Sequence, residues 1–380
     1  SLSDLSDQDW HTFVDYNIQD VKLLIKLEEK LKYLKLIKNL AYKGFIPFER
    51  AMAKVQLITG AVAYQALQDG MYIPTYNIQN EKGKFVRKMV STKENREYGY
   101  MRWYSQMKKI QRYNTDFTNL YPQIIKVSCE GDQAYFDLEY LKTYKDIKTI
   151  FCERELTEKE LNKINDAIWN AFYQMHRYTY DSNPGAPLLY FREEVEQKLE
   201  DAKKFPEFLE FFNYGTYQYY GGIVHGITNY MDEMRNFFSE MKLIEEEAIH
   251  GNPTLENIMY SFTDDCVKFV DPYEESVIDT RFLDYAQVLQ CSRSWYGITN
   301  DGNVSVNENV VSSDIVVPKN FHKFNKIFEK EIADSQMKRI VDVLEATQFI
   351  RMLPFKLAAG DIDKAKYFYV HACSLLRQIF

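Results

Sequence analysis

The stretch Asp116-Phe117-Thr118-Asn119-Leu120-Tyr121-Pro122-Gln123-Ile124-Ile125 decides how this chain reads. It sets a carboxylate at the end of an apolar run and a Tyr-Pro turn five residues later, a corner suited to a metal ion and a nucleotide. A second stretch, Tyr16-Asn17-Ile18-Gln19-Asp20-Val21, lies upstream and opens a long amphipathic pattern. Each has a plainer alternative. Asp116 can cap the turn while Tyr121-Pro122 packs in a core, and Asp20 can be a carboxylate favoured by the positive end of a helix.

Working outward, 380 residues allow two or three domains, and 46% hydrophobic residues describe an ordinary globular chain rather than a disordered one. A net charge of −8 excludes a uniformly basic coat, so any nucleic-acid contact has to come from local patches. The five cysteines, Cys129, Cys152, Cys266, Cys291 and Cys373, are scattered without a C-x-x-C pair. That pattern suggests neither a zinc cluster nor a disulfide framework, and a reducing, cytoplasmic setting is the default. No apolar run reaches the roughly 18 residues that a membrane span needs. The first residues, Ser1-Leu2-Ser3-Asp4, carry no signal pattern, and the lack of an initiator Met reads as a processed or excised piece. Aromatic residues make up 15% of the chain, which suits base stacking and a tyrosine-rich core equally.

Apolar residues from Val21 to Leu36 recur at helical spacing with lysines between them, a basic amphipathic helix, and a second helix is expected from Phe48 to Gln68. Residues 77–114 mix Lys and Arg with Tyr98, Tyr100, Trp103, Tyr104 and Tyr113, as a groove for a template strand does, or as a solvated helix face with aromatic anchors does. Leu156 to His176 reads as a helix with Thr157 and Glu160 as a capping box. A helix is expected from Phe191 to Lys204, a loop over Asn213–Gly222, and a helix ending near Glu247. A short strand is expected over Ser261–Val270. Asn300-Asp301-Gly302-Asn303 reads as a hairpin turn, and the last sixty or so residues as helices broken at Pro354 and Gly360. Glu247-x-x-His250 has the spacing of a di-iron bundle ligand pair, but it has no second copy.

The Tyr16–Asp20 and Asp116–Ile125 boxes together resemble family B DNA polymerases, where a Tyr-x-x-x-Asp box closes the proofreading exonuclease and an Asp-x-x-Ser-Leu-Tyr-Pro-Ser-Ile-Ile box opens the palm. The resemblance implies a helix-rich α+β right hand with a mixed palm sheet, helical fingers and a thumb of helices and a β-hairpin. Residues 1–75 would be the end of an exonuclease domain with a helical linker, 76–150 and 255–290 the palm, 151–254 the fingers or a helical insertion, and 291–380 the thumb. It implies template-directed transfer of a deoxynucleotide from a dNTP to a primer 3′-hydroxyl on primer-template DNA. Two Mg²⁺ or Mn²⁺ ions would be held by carboxylates from neighbouring strands. Asp116 would be one such ligand, at the end of a palm strand. Asp264, in Phe262-Thr263-Asp264-Asp265, would be the other, although Phe262 and Asp265 stand where the family has Asp and Ser. Asn119 and Leu120 would offer backbone amides to the triphosphate, and Tyr121 would stack under the sugar.

On the same resemblance Asn170 and Tyr173 would be fingers-helix nucleotide contacts, with Asp166 standing where that motif has Lys. Arg293 and Tyr296 would grip the primer strand. Tyr16 would orient a water and Asp20 hold a metal ion as an exonuclease remnant, whose preceding strands would come from a separate chain or be lost. A virus or phage source suits this reading, and no membrane partner is expected. The alternatives left open are a catalytically silent polymerase-fold subunit or DNA-binding scaffold, and an unrelated helix-rich structural or virion protein.

Overall fold

Alternating inward residues Ala134, Phe136 and Leu138 make the strand Gln133–Glu139 one side of a buried layer. In the computed structural model, which describes residues 76–79, 85–93 and 99–380 apart from 275 and 333, this is strand β4. All described residues belong to one compact unit, Gln68–Phe380. β1 (Tyr76–Gln79), β2 (Phe85–Ser91), β3 (Ile124–Glu130) and β4 form an antiparallel sheet in the order β1-β2-β4-β3. Gly131, at φ +61°, turns the chain between β3 and β4. Helix α1 (Tyr100–Asp116) buries Trp103, Met107, Ile110 and Tyr113, a stripe at helical spacing. Trp103 lies 5.4 Å from Phe136 on the sheet, and its indole N–H donates to the Lys88 carbonyl.

Beyond β5 (Lys145–Asp146) the chain becomes mainly helical. Helix α2 (Ile147–Glu153) is capped by Asp146, and α3 (Glu158–Met175) by the Thr157–Glu160 capping box that the sequence announces. Strand β6 (Thr179–Asp181) is followed by α4 (Ala186–Phe191), one π turn at Arg192–Glu196, α5 (Gln197–Lys203) and α6 (Pro206–Phe212). The hairpin β7 (Thr216–Tyr219)–β8 (Gly222–His225), helix α7 (Met231–Glu240) and strand β9 (Ile244–Glu246) lead to a second hairpin. This is β10 (Ile258–Ser261) with β11 (Cys266–Phe269), and β10 also pairs with β5. Helices α8 (Arg281–Ser292) and α9 (Tyr296–Asp301), hairpin β12 (Val304–Asn307)–β13 (Val310–Ser313), and helices α10 (Lys319–Phe328), α11 (Ser335–Ala358) and α12 (Ile362–Ile379) complete the chain. Helix α11 packs against both α8 and α12, and this trio forms the middle of the helical core.

The mixed, helix-rich character is as expected, whereas several local expectations are corrected. The expected loop is confined to residues 213–215, and a hairpin of β7 and β8 follows. Tyr220 and Gly221, at φ +46° and +77°, make a tight two-residue turn of the kind that matches strand twist. Asn300-Asp301-Gly302 ends α9, and the β12–β13 turn lies instead at Glu308-Asn309, where Glu308 takes φ +52°. Helix α11 runs through Pro354 without a break. Leu353 and Leu357 on either side are buried, and that packing outweighs the roughly 3 kcal/mol a helical proline costs. Gly360, at φ +81°, does end the helix. The helices expected before residue 70 lie outside the described residues.

Candidate functional site

A cleft of about 280 Å³ lies between the β1–β4 layer and the helical body, and Lys88 is among the charged groups that line it. Strand β2 carries Lys88 at 7% exposure, a burial lysine tolerates only with a partner. Its ammonium pairs with Asp271 and donates to Gln106 of α1 at 3.2 Å. Burial pushes that ammonium down to about 7, with Glu274 acting in the opposite sense. Asp271 follows β11 and takes φ +54°, a left-handed conformation uncommon outside glycine and concentrated at functional sites. The next residues are fixed from α1: Gln106 donates to the Pro272 carbonyl at 3.0 Å and Lys109 to the Tyr273 carbonyl at 2.6 Å.

Facing Asp271 is the loop His250–Asn257, held by an unusual anchor. Asp284 of α8, with no exposed surface, accepts the backbone N–H of His250 at 2.9 Å and of Gly251 at 2.7 Å, and lies 2.9 Å from His176 Nε2. Burial alone would raise its carboxyl, but the His176 and Gly251 contacts hold it below the usual range. His250 Nε2 lies 2.9 Å from the Val270 carbonyl, so the other ring nitrogen faces the Asn252 N–H, at 3.1 Å. Burial pushes the His250 imidazole down to about 4, so the ring is neutral near pH 7: Nε2 donates and Nδ1 accepts. A side chain at Gly251, which takes φ +78°, would be strained, and its Cβ would crowd Ser276 Oγ and Tyr273 Cβ at 3.0 Å. Asn257 donates its amide to the Asn252 carbonyl at 2.9 Å, and its own carbonyl accepts Val270 N–H at 2.9 Å. The loop and the strand end that carries Asp271 are thereby one rigid piece, with Lys88, Asn252, Asn257 and Asp271 all lining the cleft.

The residues expected from the 116–125 box lie elsewhere. Asp116 ends helix α1 rather than a strand, and it is 40% exposed in an i,i+4 pair with Arg112 at 3.1 Å. Asn119 takes φ +65°, and the Leu120 carbonyl accepts the Phe269 N–H. Tyr121 has no exposed surface and is packed among Tyr113, Phe269 and His250, its hydroxyl on Met175 sulfur, so no sugar can stack on it without opening the core. Asp264 sits in the turn of the β10–β11 hairpin and not on a strand, accepting from Ser261 Oγ at 2.8 Å. Asp265 beside it faces Lys163 at 2.5 Å. Asn170 and Tyr173 are on the expected helix, α3, on its exposed side. Arg293 is enclosed by Glu329, Asp342 and Glu345; burial works against its charge, but Glu345 and Asp342 outweigh that and raise its pKa, so its charge is already matched. Tyr296 is 6% exposed against Phe349 and Phe368 and lines the Lys88 cleft. Tyr16 and Asp20 lie outside the described residues.

No protein-family model and no curated relative matches the chain. The sequence reading missed the residues that converge, taking up only His250 with Glu247; the signal that could have found them is the spacing His250-Gly251-Asn252, then Asn257 after four residues, then Asp271-Pro272-Tyr273. Lys88 gave no signal, being one of many basic residues between 77 and 114. Among the described residues no group of three His, Cys, Asp or Glu could hold a metal ion by itself. The oxygen-bearing side chains of Asn252, Asn257 and Asp271 line the cleft, with the Asp271 carboxylate paired to Lys88, and oxygen donors of this kind are what Mg²⁺ takes.

Proposed function

We propose that the chain binds a nucleoside triphosphate with Mg²⁺ in the Lys88–Asp271 cleft, at a phosphoryl-transfer site of kinase type. The observation that carries this reading is the buried Lys88–Asp271 pair set against the loop of Asn252 and Asn257. Protein kinases assemble their site from a strand lysine, a loop reading H-R-D-x-x-x-x-N and a following D-F-G aspartate. His250, Asn252, Asn257 and Asp271 resemble that order and loop spacing, and Lys88 is the strand lysine. The kinase lysine pairs with a helix glutamate, and here α1 presents Gln106 to Lys88.

In this reading Lys88 meets the phosphates, while Asp271 and Asn257 hold Mg²⁺. A bound ion would supply positive charge to offset that of the phosphates. The remaining departure decides the rate. Asn252 stands where the loop's aspartate would take the proton of the attacking hydroxyl, and an amide cannot accept it at neutral pH. Nucleotide binding is therefore retained while transfer is slow. The nucleotide and the Mg²⁺ or Mn²⁺ expected from the sequence are kept in this reading, at a different place in the chain. DNA synthesis draws no support from a grouping of Asp116 with Asp264.

The test is titration of the chain with a fluorescent ATP analogue and Mg²⁺. Binding should weaken by about 10- to 100-fold in Asp271→Asn, the range for disturbed metal ligation, and should also fall in Lys88→Met. Asn252→Asp should raise ATP turnover by about 10²-fold, the lower range for a general base. Unchanged binding in both cleft variants sinks the proposal, and primer extension abolished by Asp116→Ala would restore polymerisation in its place.

A further inference from the structure

Four carboxylates line the cleft, and each pairs with a cation of the same lining. Asp271 pairs with Lys88, Glu274 with Arg102, Glu256 with Lys148 and Glu194 with Arg351. Lys198 of α5 is the fifth cation of the lining, and among the described residues it has no ion pair. The carboxylates near it in the chain are committed: Glu194, four residues before it, to Arg351 at 2.7 Å, and Asp201, three residues after it, to Lys204 at 2.6 Å and Gln197 at 3.1 Å. The Lys198 ammonium stands 5.6 Å from the centre of the Phe355 ring, on a side chain that is half-buried. The cleft therefore keeps one positive charge that its own carboxylates do not match.

The wall that carries this charge is built apart from the nucleotide residues. Helix α5 continues α4 through the π turn Arg192–Glu196, and π turns inside helices are frequent at functional sites. Glu194 of that turn fixes Arg351 through Nε, and Arg351 Nη1 donates to Gln348 Oε1 at 2.8 Å, so Nη2 makes no bond among the described residues. Arg351 and Phe355 lie one turn apart on α11, which sets the guanidinium and the Lys198 ammonium at the same end of the cleft. The Tyr273 ring has Arg102 of α1 at 5.6 Å and Arg351 at 5.5 Å, so it is where the Lys88 side meets the α5–α11 side. An unmatched ammonium in a cleft with low-dielectric walls raises the local concentration of anions. A neutral ligand would leave that charge unmatched, and a cation would add to it. We infer that the α5–α11 end of the cleft takes an anionic acceptor, a hydroxylated molecule whose carboxylate or phosphate lies on Lys198 while its hydroxyl faces the nucleotide. This rests on the phosphoryl-transfer reading for the acceptor's role, although not for its binding. In the transfer the hydroxyl oxygen forms a bond to the γ-phosphorus, and the bond from that phosphorus to the β–γ bridging oxygen breaks, its electron pair leaving with the diphosphate. The hydroxyl proton passes to water, because Asn252 cannot accept it.

Saturation-transfer NMR and calorimetry on the whole chain test it, with D-glycerate and glycerol 3-phosphate as anionic probes and glycerol and choline as neutral and cationic comparators. At least one anionic probe should bind saturably and more tightly than either comparator, and its preference between carboxylate and phosphate names the anion. Lys198→Met should weaken that binding by about 10-fold or more, the scale of one hydrogen bond to a charged group. Lys198→Arg, which keeps the charge, should retain it. The probe should bind with the ATP analogue present, and Lys198→Met should leave analogue affinity within about two-fold, as for a site that shares no contact with it. Binding of the ATP analogue with no anionic probe bound, a comparator bound as tightly, or displacement of the probe by the analogue overturns the inference and leaves the nucleotide site standing. Anion binding lost in Lys198→Met, with no nucleotide binding at all, upholds the inference and removes the nucleotide reading.

Discussion

Asp116 and Asp271 invite comparison, because each closes an apolar run and precedes a short turn with a tyrosine and a proline. The first sits at the end of a helix in water, neutralised by the arginine one turn before it. The second sits in a left-handed bend at the floor of a cleft, against a buried lysine that comes from another layer of the fold. Their neighbouring tyrosines differ in the same way: Tyr121 is sealed in the core, while Tyr273 lines the cleft. The difference teaches that a carboxylate acquires chemistry from convergence and burial, neither of which a local motif carries.

The strongest way to break that comparison is at the anchor of the second region. Asp284→Ala leaves two backbone N–H groups and His176 without their acceptor, and should cost about 3–5 kcal/mol, the range for breaking a buried charged network. Urea unfolding measures it, and a cost below about 1 kcal/mol, the scale of a surface pair, would show the loop is held otherwise. Acid offers the next largest effect. Burial holds His250 and His371 down to about 4, so between pH 6.5 and 4 the unfolded chain binds protons that the folded chain does not. Stability from these two groups should be complete above about 6.5, the unperturbed histidine value, and fall as the pH drops through that window. Thermal melts from pH 7 to 4 check this, with His371→Phe expected to flatten part of the slope. A flat profile would place the two rings in water.

The smaller effects belong to the first region. Tyr121→Phe removes only a hydroxyl–sulfur contact, and should shift stability by less than about 1 kcal/mol, the net worth of a weak hydrogen bond, with no change in nucleotide affinity. Asp116→Ala should change stability by about 0.5 kcal/mol or less, as exposed i,i+4 pairs do. An effect of either variant on ATP-analogue binding would sharpen the case for a site at the 116–125 corner.

Much of the fold was legible where the information is local. The Thr157–Glu160 box, the helical stripe of α3 and the stop at Gly360 depend on residues within a turn or two of each other, and sequence spacing describes them well. The Tyr220-Gly221 turn escaped reading because a tyrosine at positive φ is held there by pairing, not by preference. Pro354 misled for the reverse reason, since burial on both sides supports a helix that proline alone would end.

The sequence by itself determined the helical periods, the caps and the acidic balance. Only the tertiary structure decided that Lys88 is buried against Asp271 and that Asp116 pairs with Arg112 at the surface. Those decisions require residues far apart in the chain to be desolvated together. The energy of a charge or an amide depends on that surrounding dielectric and on its partners, which the linear spacing of residues does not contain.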